Sequence, residues 1–200
     1  MATKKLNDKQ KEMLRQEIQD EICKRDDKEF FTNYIKIVNK EGSAVNFTLN
    51  SIQKQIDAKI EELTAQGKPA RIIVLKARQE GVSTYTQAKI LCNTVKAKNR
   101  NALVVAHRDD STSAIFEKAK YMYNNLPERI KPLQKASNAK ELIFDTPSFY
   151  KGNKEGINSK IKIQTAGSDS IGRSDTYYYV HLSEFAFYTG NPKTQLAGIL

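Results

Sequence analysis

Residues 71–86, reading RIIVLKARQEGVSTYT, constrain the fold more tightly than any other stretch. The apolar run 72–75 predicts a buried strand, and Lys76-Ala77-Arg78-Gln79-Glu80-Gly81-Val82-Ser83-Thr84 predicts a loop. Thr84, Ala88, Leu91 and Val95 then share one face of a predicted helix. Strand, glycine-bearing loop, hydroxyl residues and helix is the order of a phosphate-binding loop. Free backbone N–H groups and the positive end of a helix dipole converge there and favour an anion. Against the pattern G-x-x-x-x-G-K-[ST], Gly81 and Ser83 fall in place, while Lys76 holds the first glycine position and Val82 the lysine position. The cation has moved to the front of the loop, from where Lys76 or Arg78 could reach a β- or γ-phosphate. A glycine turn followed by a serine cap also begins many helices that bind nothing, so the rest of the chain has to decide.

The length of 200 residues suits one substantial domain, and a 39% hydrophobic content supports a core. The net charge of +10 favours an anionic partner such as nucleic acid, nucleotide or acidic protein. Residues 1–28 carry 8 basic and 7 acidic side chains, so nearly all of the surplus lies beyond them. Cys23 and Cys92 lack metal-ligand spacing, and neither His107 nor His181 sits in a Cys/His cluster, so no zinc site is expected. No apolar run has transmembrane length and no signal segment opens the chain, which predicts a cytoplasmic protein without a membrane partner.

Taken in order, residues 1–28 read as a charged helical arm whose narrow stripe, Leu14, Ile18 and Ile22, docks on something or frays. The core domain is expected over 29–200, starting with the apolar segment that contains Phe30, Phe31 and Tyr34. Asn50 and Gln53 have capping-box spacing at the start of a helix with Ile52, Ile56, Ile60 and Leu63 on its buried face. A Gln amide can also offer a donor and an acceptor to an adenine edge, but the residues alone favour the cap. The run 102–106 suits a central parallel strand buried on both faces, and Asp109, Asp110 or Ser111 can cap the helix after it. Residues 131–158 read as a hairpin-like excursion with short strands near 142–144 and 149–150. Residues 160–165 alternate as a half-exposed strand, 166–174 form a polar loop containing Arg173, and 177–182 form a strand ending at Ser183 and Glu184. An acid at a strand tip beside a phosphate loop is placed to polarise water or hold Mg²⁺. Alternating strands and helices predict a doubly wound α/β sheet with its ligand at the strands' carboxyl ends.

As a set, these residues resemble the ATPase domain of tailed-phage terminase large subunits, the DNA-packaging motors. Phe47-x-Leu49-x-x-x-Gln53 is similar to the family's adenine-recognising glutamine motif. Residues 75–84 are similar to its deviant Walker A, and Val104-Val105-Ala106-His107 to the strand and turn that follow. Gly172-Arg173 and the run from Val180 to Ala186 are similar to the approach to Walker B and to Walker B itself. The resemblance implies a RecA-like P-loop NTPase of ASCE type: a three-layer sandwich with a mostly parallel sheet, incomplete at its C-terminal side. It implies ATP and Mg²⁺, with Lys76 and Arg78 neutralising phosphate charge, the N–H groups of 79–84 cradling it, and Ser83 on the metal. It further implies Glu184 acting on the attacking water and Arg173 as a charge-stabilising arginine. The implied partners are double-stranded DNA, a terminase small subunit, a portal protein and further copies in a ring.

Two departures qualify the expectation. Ser183 stands where the family has the metal-holding Asp, and no Asp or Glu follows Glu184, so two-metal nuclease chemistry is not expected here. The alternatives are a truncated, weak or inactive nucleotide- and DNA-binding module, or another P-loop translocase of helicase type. For the family portion seen here, an open sheet edge or an exposed apolar patch is expected.

Overall fold

The computed structural model describes residues 8–167 and 175–197. Helix α1 (Asp8–Arg25) leads directly into α2 (Asp27–Tyr34), whose N-cap Asp26 accepts from the backbone N–H groups of Lys28 and Glu29. The expected stripe on α1 stays in solvent: Leu14, Ile18 and Ile22 are all exposed. The helix is held instead by buried Cys23 and by Asp20, which accepts from Tyr34 Oη at 2.6 Å and from Arg129 Nε at 3.1 Å. A short antiparallel hairpin of β1 (Lys36–Val38) and β2 (Ala44–Asn46) follows, unforeseen in the sequence.

Helix α3 (Ser51–Ala65) starts with the expected capping box between Asn50 and Gln53. Its apolar stripe is only partly covered, and its deepest side chains are the polar Gln53 and Asp57. After the loop come α4 (Val82–Lys96), β3 (Asn101–Ala106) and α5 (Asp109–Asn124). The N-cap of α5 is Arg108 and has no side-chain bond, so Asp109 and Asp110 sit in the first turn, where they complement the helix dipole. Strands β4 (Ala136–Ser137), β5 (Glu141–Phe144), β6 (Ser159–Thr165) and β7 (Tyr179–Leu182) and helix α6 (Pro192–Ala197) complete the described chain.

The five-stranded sheet has the order β4-β5-β6-β3-β7. Strand β3 runs parallel to β6 and β7, whereas β5 is antiparallel to both β4 and β6. The sheet is therefore mixed, and the expectation of a mostly parallel sheet is corrected. One cause is local: the excursion turns back at Asn138, whose Oδ1 accepts the N–H groups of Lys140 and Glu141, which adds antiparallel strands at one edge. The other is that residues 72–75 do not join the sheet. They form no strand and make no ladder bonds, with Ile73 98% and Leu75 100% exposed. The opposite edge is β7, paired on one side only among the described strands.

Strand β3 separates two apolar layers. Ala102, Val104 and Ala106 join Ile161 and Ile163 under α4 and α5, packed with Leu91, Phe116 and Met122. Leu103 and Val105 point the other way, against Tyr177, Leu182 and Tyr188. Among the described residues this second face is covered by aromatic side chains and not by helices, so the expected third layer is missing from them. The expected strand at 149–150 is also absent, and the one expected from 177 begins at Tyr179.

Candidate functional site

The Gly81 loop is built by its backbone. Gln79 (φ 64°) and Gly81 (φ 71°) both adopt the left-handed conformation, which reverses the chain and starts α4 at Val82. Gly81 is the N-cap and has no side chain to satisfy the first-turn N–H groups of α4, so that helix start is open to an anion. The loop is held from behind by α3. Asn50 Nδ2 donates to the Glu80 carbonyl at 3.2 Å, and Gln53 Nε2 donates to the Gly81 carbonyl at 3.0 Å. The same two residues form the capping box, in which Gln53 N–H donates to Asn50 Oδ1 at 2.9 Å and Asn50 N–H to Gln53 Oε1 at 3.0 Å. Gln53 is only 4% exposed, with both ends of its amide engaged. Ahead of the turn, Lys76 and Arg78 are exposed, and Lys76 Nζ reaches only the neighbouring Ala77 carbonyl, at 3.3 Å.

The strand tips supply the acid. Ala166 N–H donates to the Ala106 carbonyl and Ser183 N–H to the Val105 carbonyl, both at 2.8 Å, which holds the C-terminal ends of β6, β3 and β7 together. Just past β7, Glu184 is itself left-handed (φ 55°, ψ 43°) and begins the 3₁₀ turn Phe185–Phe187. Its side chain is 49% exposed, and Oε2 lies 3.0 Å from Nδ1 of His107 at the tip of β3. That approach lies off the direction a hydrogen bond requires, so Nδ1 remains without a hydrogen-bond partner and the contact is one of polar proximity. The Phe187 ring packs on the imidazole with centroids 5.7 Å apart.

Loop and acid line one open cleft of about 2600 Å³, which takes in Lys76, Arg78, Ser83, His107 and Glu184. Within the fold, α4 is tied to β7 by Gln87 Nε2, 3.1 Å from Nδ1 of His181. In this orientation the amide N–H faces Nδ1, and Gln87 Oε1 is buried without a hydrogen-bond partner. Burial depresses the His181 pKa to about 4.

No family model matches this chain, and no curated protein matches it.

A charged cluster anchors α4 from its other side. Lys89 Nζ lies 2.8 Å from both Asp27 and Asp57, Lys96 also pairs with Asp27, and Tyr85 Oη donates to Asp57 at 2.7 Å. Burial opposes the charge on Asp27, yet Lys89 and Lys96 outweigh it and hold that carboxyl far below its usual range. Burial, with the bond to Asp57, drives the Tyr85 hydroxyl well above its ordinary value. Asp57 is 0% exposed, and its Oδ2 has only Lys28 nearby, at 3.6 Å, too far for a hydrogen bond.

Of the residues expected at a site, Lys76, Ala77, Arg78 and Gln79 are exposed, while Glu80, Gly81, Ser83 and Thr84 are half-buried. Val82 turns into the core, and Phe47 packs on Phe31 with centroids 5.6 Å apart. Ser183 is buried; Arg173 lies outside the described residues. Among the described residues no three His, Cys, Asp or Glu side chains gather into a metal cluster. Of the oxygen donors expected to hold a metal, Ser83 lies at the start of α4 and Glu184 just past β7. The pair suits Mg²⁺ only together with phosphate oxygens and water, as is common for that ion. Sequence reasoning missed Asn50 as a donor to the loop, His107 beside Glu184, and the Gln87–His181 bridge. All three depend on partners at least 30 positions away.

Proposed function

We propose that this chain is the ATP-binding and ATP-hydrolysing module of a DNA-packaging motor of the terminase large-subunit type. The observation that carries this reading is the Gln87–His181 bridge. It joins the helix that starts at the Gly81 turn to β7, which ends two residues before Glu184, and a loop suited to phosphate and an acid suited to water activation border one cleft. In this reading the first-turn N–H groups of α4, with Lys76 and Arg78, bind the triphosphate. Glu184 orients the attacking water or takes its proton. Ser83 and Glu184 would hold Mg²⁺, which when bound supplies charge neutralisation on the phosphate oxygens. Ser183, a hydroxyl in the place of the family's Asp, adds no charge. Arg173 keeps its role as a charge-stabilising arginine. The +10 charge supports a double-stranded DNA partner. A small subunit, a portal and a ring of copies are the further partners this reading implies.

A second reading, a nucleotide- and DNA-binding module with feeble or no turnover, is favoured by residues 72–75 standing outside the sheet and by Ser183 in the place of the family's Asp.

Titration with Mg·ATP in a thermal-shift assay tests the first reading. Saturation at about a hundredfold over Kd adds about 2.7 kcal/mol to apparent stability. Lys76→Ala should lose most of the shift, whereas Glu184→Gln should keep it and lose turnover. If ATP neither stabilises the wild-type chain nor is hydrolysed, with or without DNA, the enzyme reading fails. If stabilisation occurs without turnover, the second reading holds. DNA affinity should fall steadily as salt rises.

A further inference from the structure

We infer that Asn50 and Gln53 are positioning residues that set the phosphate loop through its backbone, and that Gln53 does not read the base. This deepens the ATP-binding reading and rests on it for the ligand, though not for the clamp itself. Four hydrogen bonds carry the inference. Two close the capping box of α3 and use Asn50 Oδ1 and Gln53 Oε1 as acceptors. The other two use one N–H each of Asn50 Nδ2 and Gln53 Nε2 on the consecutive carbonyls of Glu80 and Gly81.

The Gly81 carbonyl also accepts the Tyr85 N–H at 3.0 Å, the first intrahelical bond of α4. The two donors therefore fix the plane of the peptide that follows Gly81 and, with it, the direction of the N–H groups at the helix start. The fit is close: a Cβ on Gly81 would come within 2.7 Å of Gln53 Nε2. One N–H and one lone pair of the amide are already engaged and the residue is buried, so Gln53 presents little of its amide edge to an adenine. A loop held this way recognises phosphate whatever the base, so the site should accept the triphosphate group of any nucleotide.

The donors can be removed while the cap is kept. Asn50→Asp and Gln53→Glu retain both acceptors and lose the donor to the loop. Asn50→Ser is a neutral cap too short to reach the Glu80 carbonyl, and it separates loss of the bond from added negative charge. Binding of ATP, GTP and inorganic triphosphate, each with Mg²⁺, is measured beside amide hydrogen exchange of residues 81–85 without nucleotide. The expected result is faster exchange in all three variants, with affinity for all three ligands falling by a common factor, about five- to tenfold per lost bond. Loss confined to ATP would overturn the inference and assign Gln53 to the base. Unchanged exchange in all the variants would overturn it as well. If the wild-type chain binds none of the three ligands, the ATP-binding reading fails, and the exchange data alone decide the clamp: faster exchange supports it, and unchanged exchange ends it.

Discussion

Gln87 on α4 donates its side-chain amide to Nδ1 of His181 on β7 across 3.1 Å. The pair makes the join between α4 and β7 sensitive to pH. Burial lowers the His181 pKa from 6.5 to about 4, so on acidification the unfolded chain takes up the proton first. Its contribution is complete above the unfolded value and is lost as pH falls from 6.5 toward 4. Allowing for the partial exposure of the residue, the loss should be about 2 kcal/mol. Denaturant melts of wild type and His181→Phe between pH 7 and pH 4.5 measure it. The variant should show a flatter dependence, and equal slopes would remove His181 as the cause.

Lys89 sits between two carboxylates: Asp27, which also pairs with Lys96, and Asp57, whose other neighbours are the Tyr85 hydroxyl and Lys28 at 3.6 Å. Lys89→Met should cost about 3 kcal/mol or more, because Asp57 is then a buried charge short of a partner. Lys28→Ala, at the exposed rim of the same cluster, should cost under about 1 kcal/mol. Equal effects in chemical denaturation would mean that the cluster is more hydrated than its burial indicates.

Glu184 holds a left-handed backbone that glycine adopts without strain. Glu184→Gly should therefore raise stability by up to about 1 kcal/mol while removing the carboxylate to which the proposed function assigns water activation. The melting temperature and the ATPase rate of the same preparation test both halves. A destabilised variant would show that the contact with His107 outweighs the backbone strain.

Ile73 and Leu75 are almost wholly in solvent, and among the described strands β7 is paired on one side only. The double change Ile73→Lys, Leu75→Gln should alter monomer stability by no more than about 0.5 kcal/mol. It should also reduce self-association at high concentration, since exposed apolar segments near open sheet edges promote pairing between chains. Light scattering over a concentration series reads the second effect, and melts read the first. A large loss of stability would place this segment in a packed state in solution.

Among the described residues no helix is long and apolar enough to cross a membrane. The basic surplus remains the feature that most directly points to a polyanionic partner.

Local rules made much of the chain legible in its sequence. The capping box at Asn50 and Gln53, the buried strand at 102–106, the alternating strand β6 and a glycine turn ahead of a helix all follow from near neighbours, where cap chemistry and side-chain period act. That helix begins at Val82, however, two residues before the predicted one. The nature of the sheet was not legible. An apolar run such as 72–75 states only that it can be a strand, and pairing depends on whether another strand lies within hydrogen-bonding distance. The second duties of Asn50 and Gln53, the meeting of His107 with Glu184, and the burial of Asp57 between lysines likewise came from the tertiary structure. Sequence set what each segment can do alone; the packing of α3 and β7 against α4 decided which polar groups meet, because a hydrogen bond or ion pair forms only where the fold brings its two ends within about 3 Å.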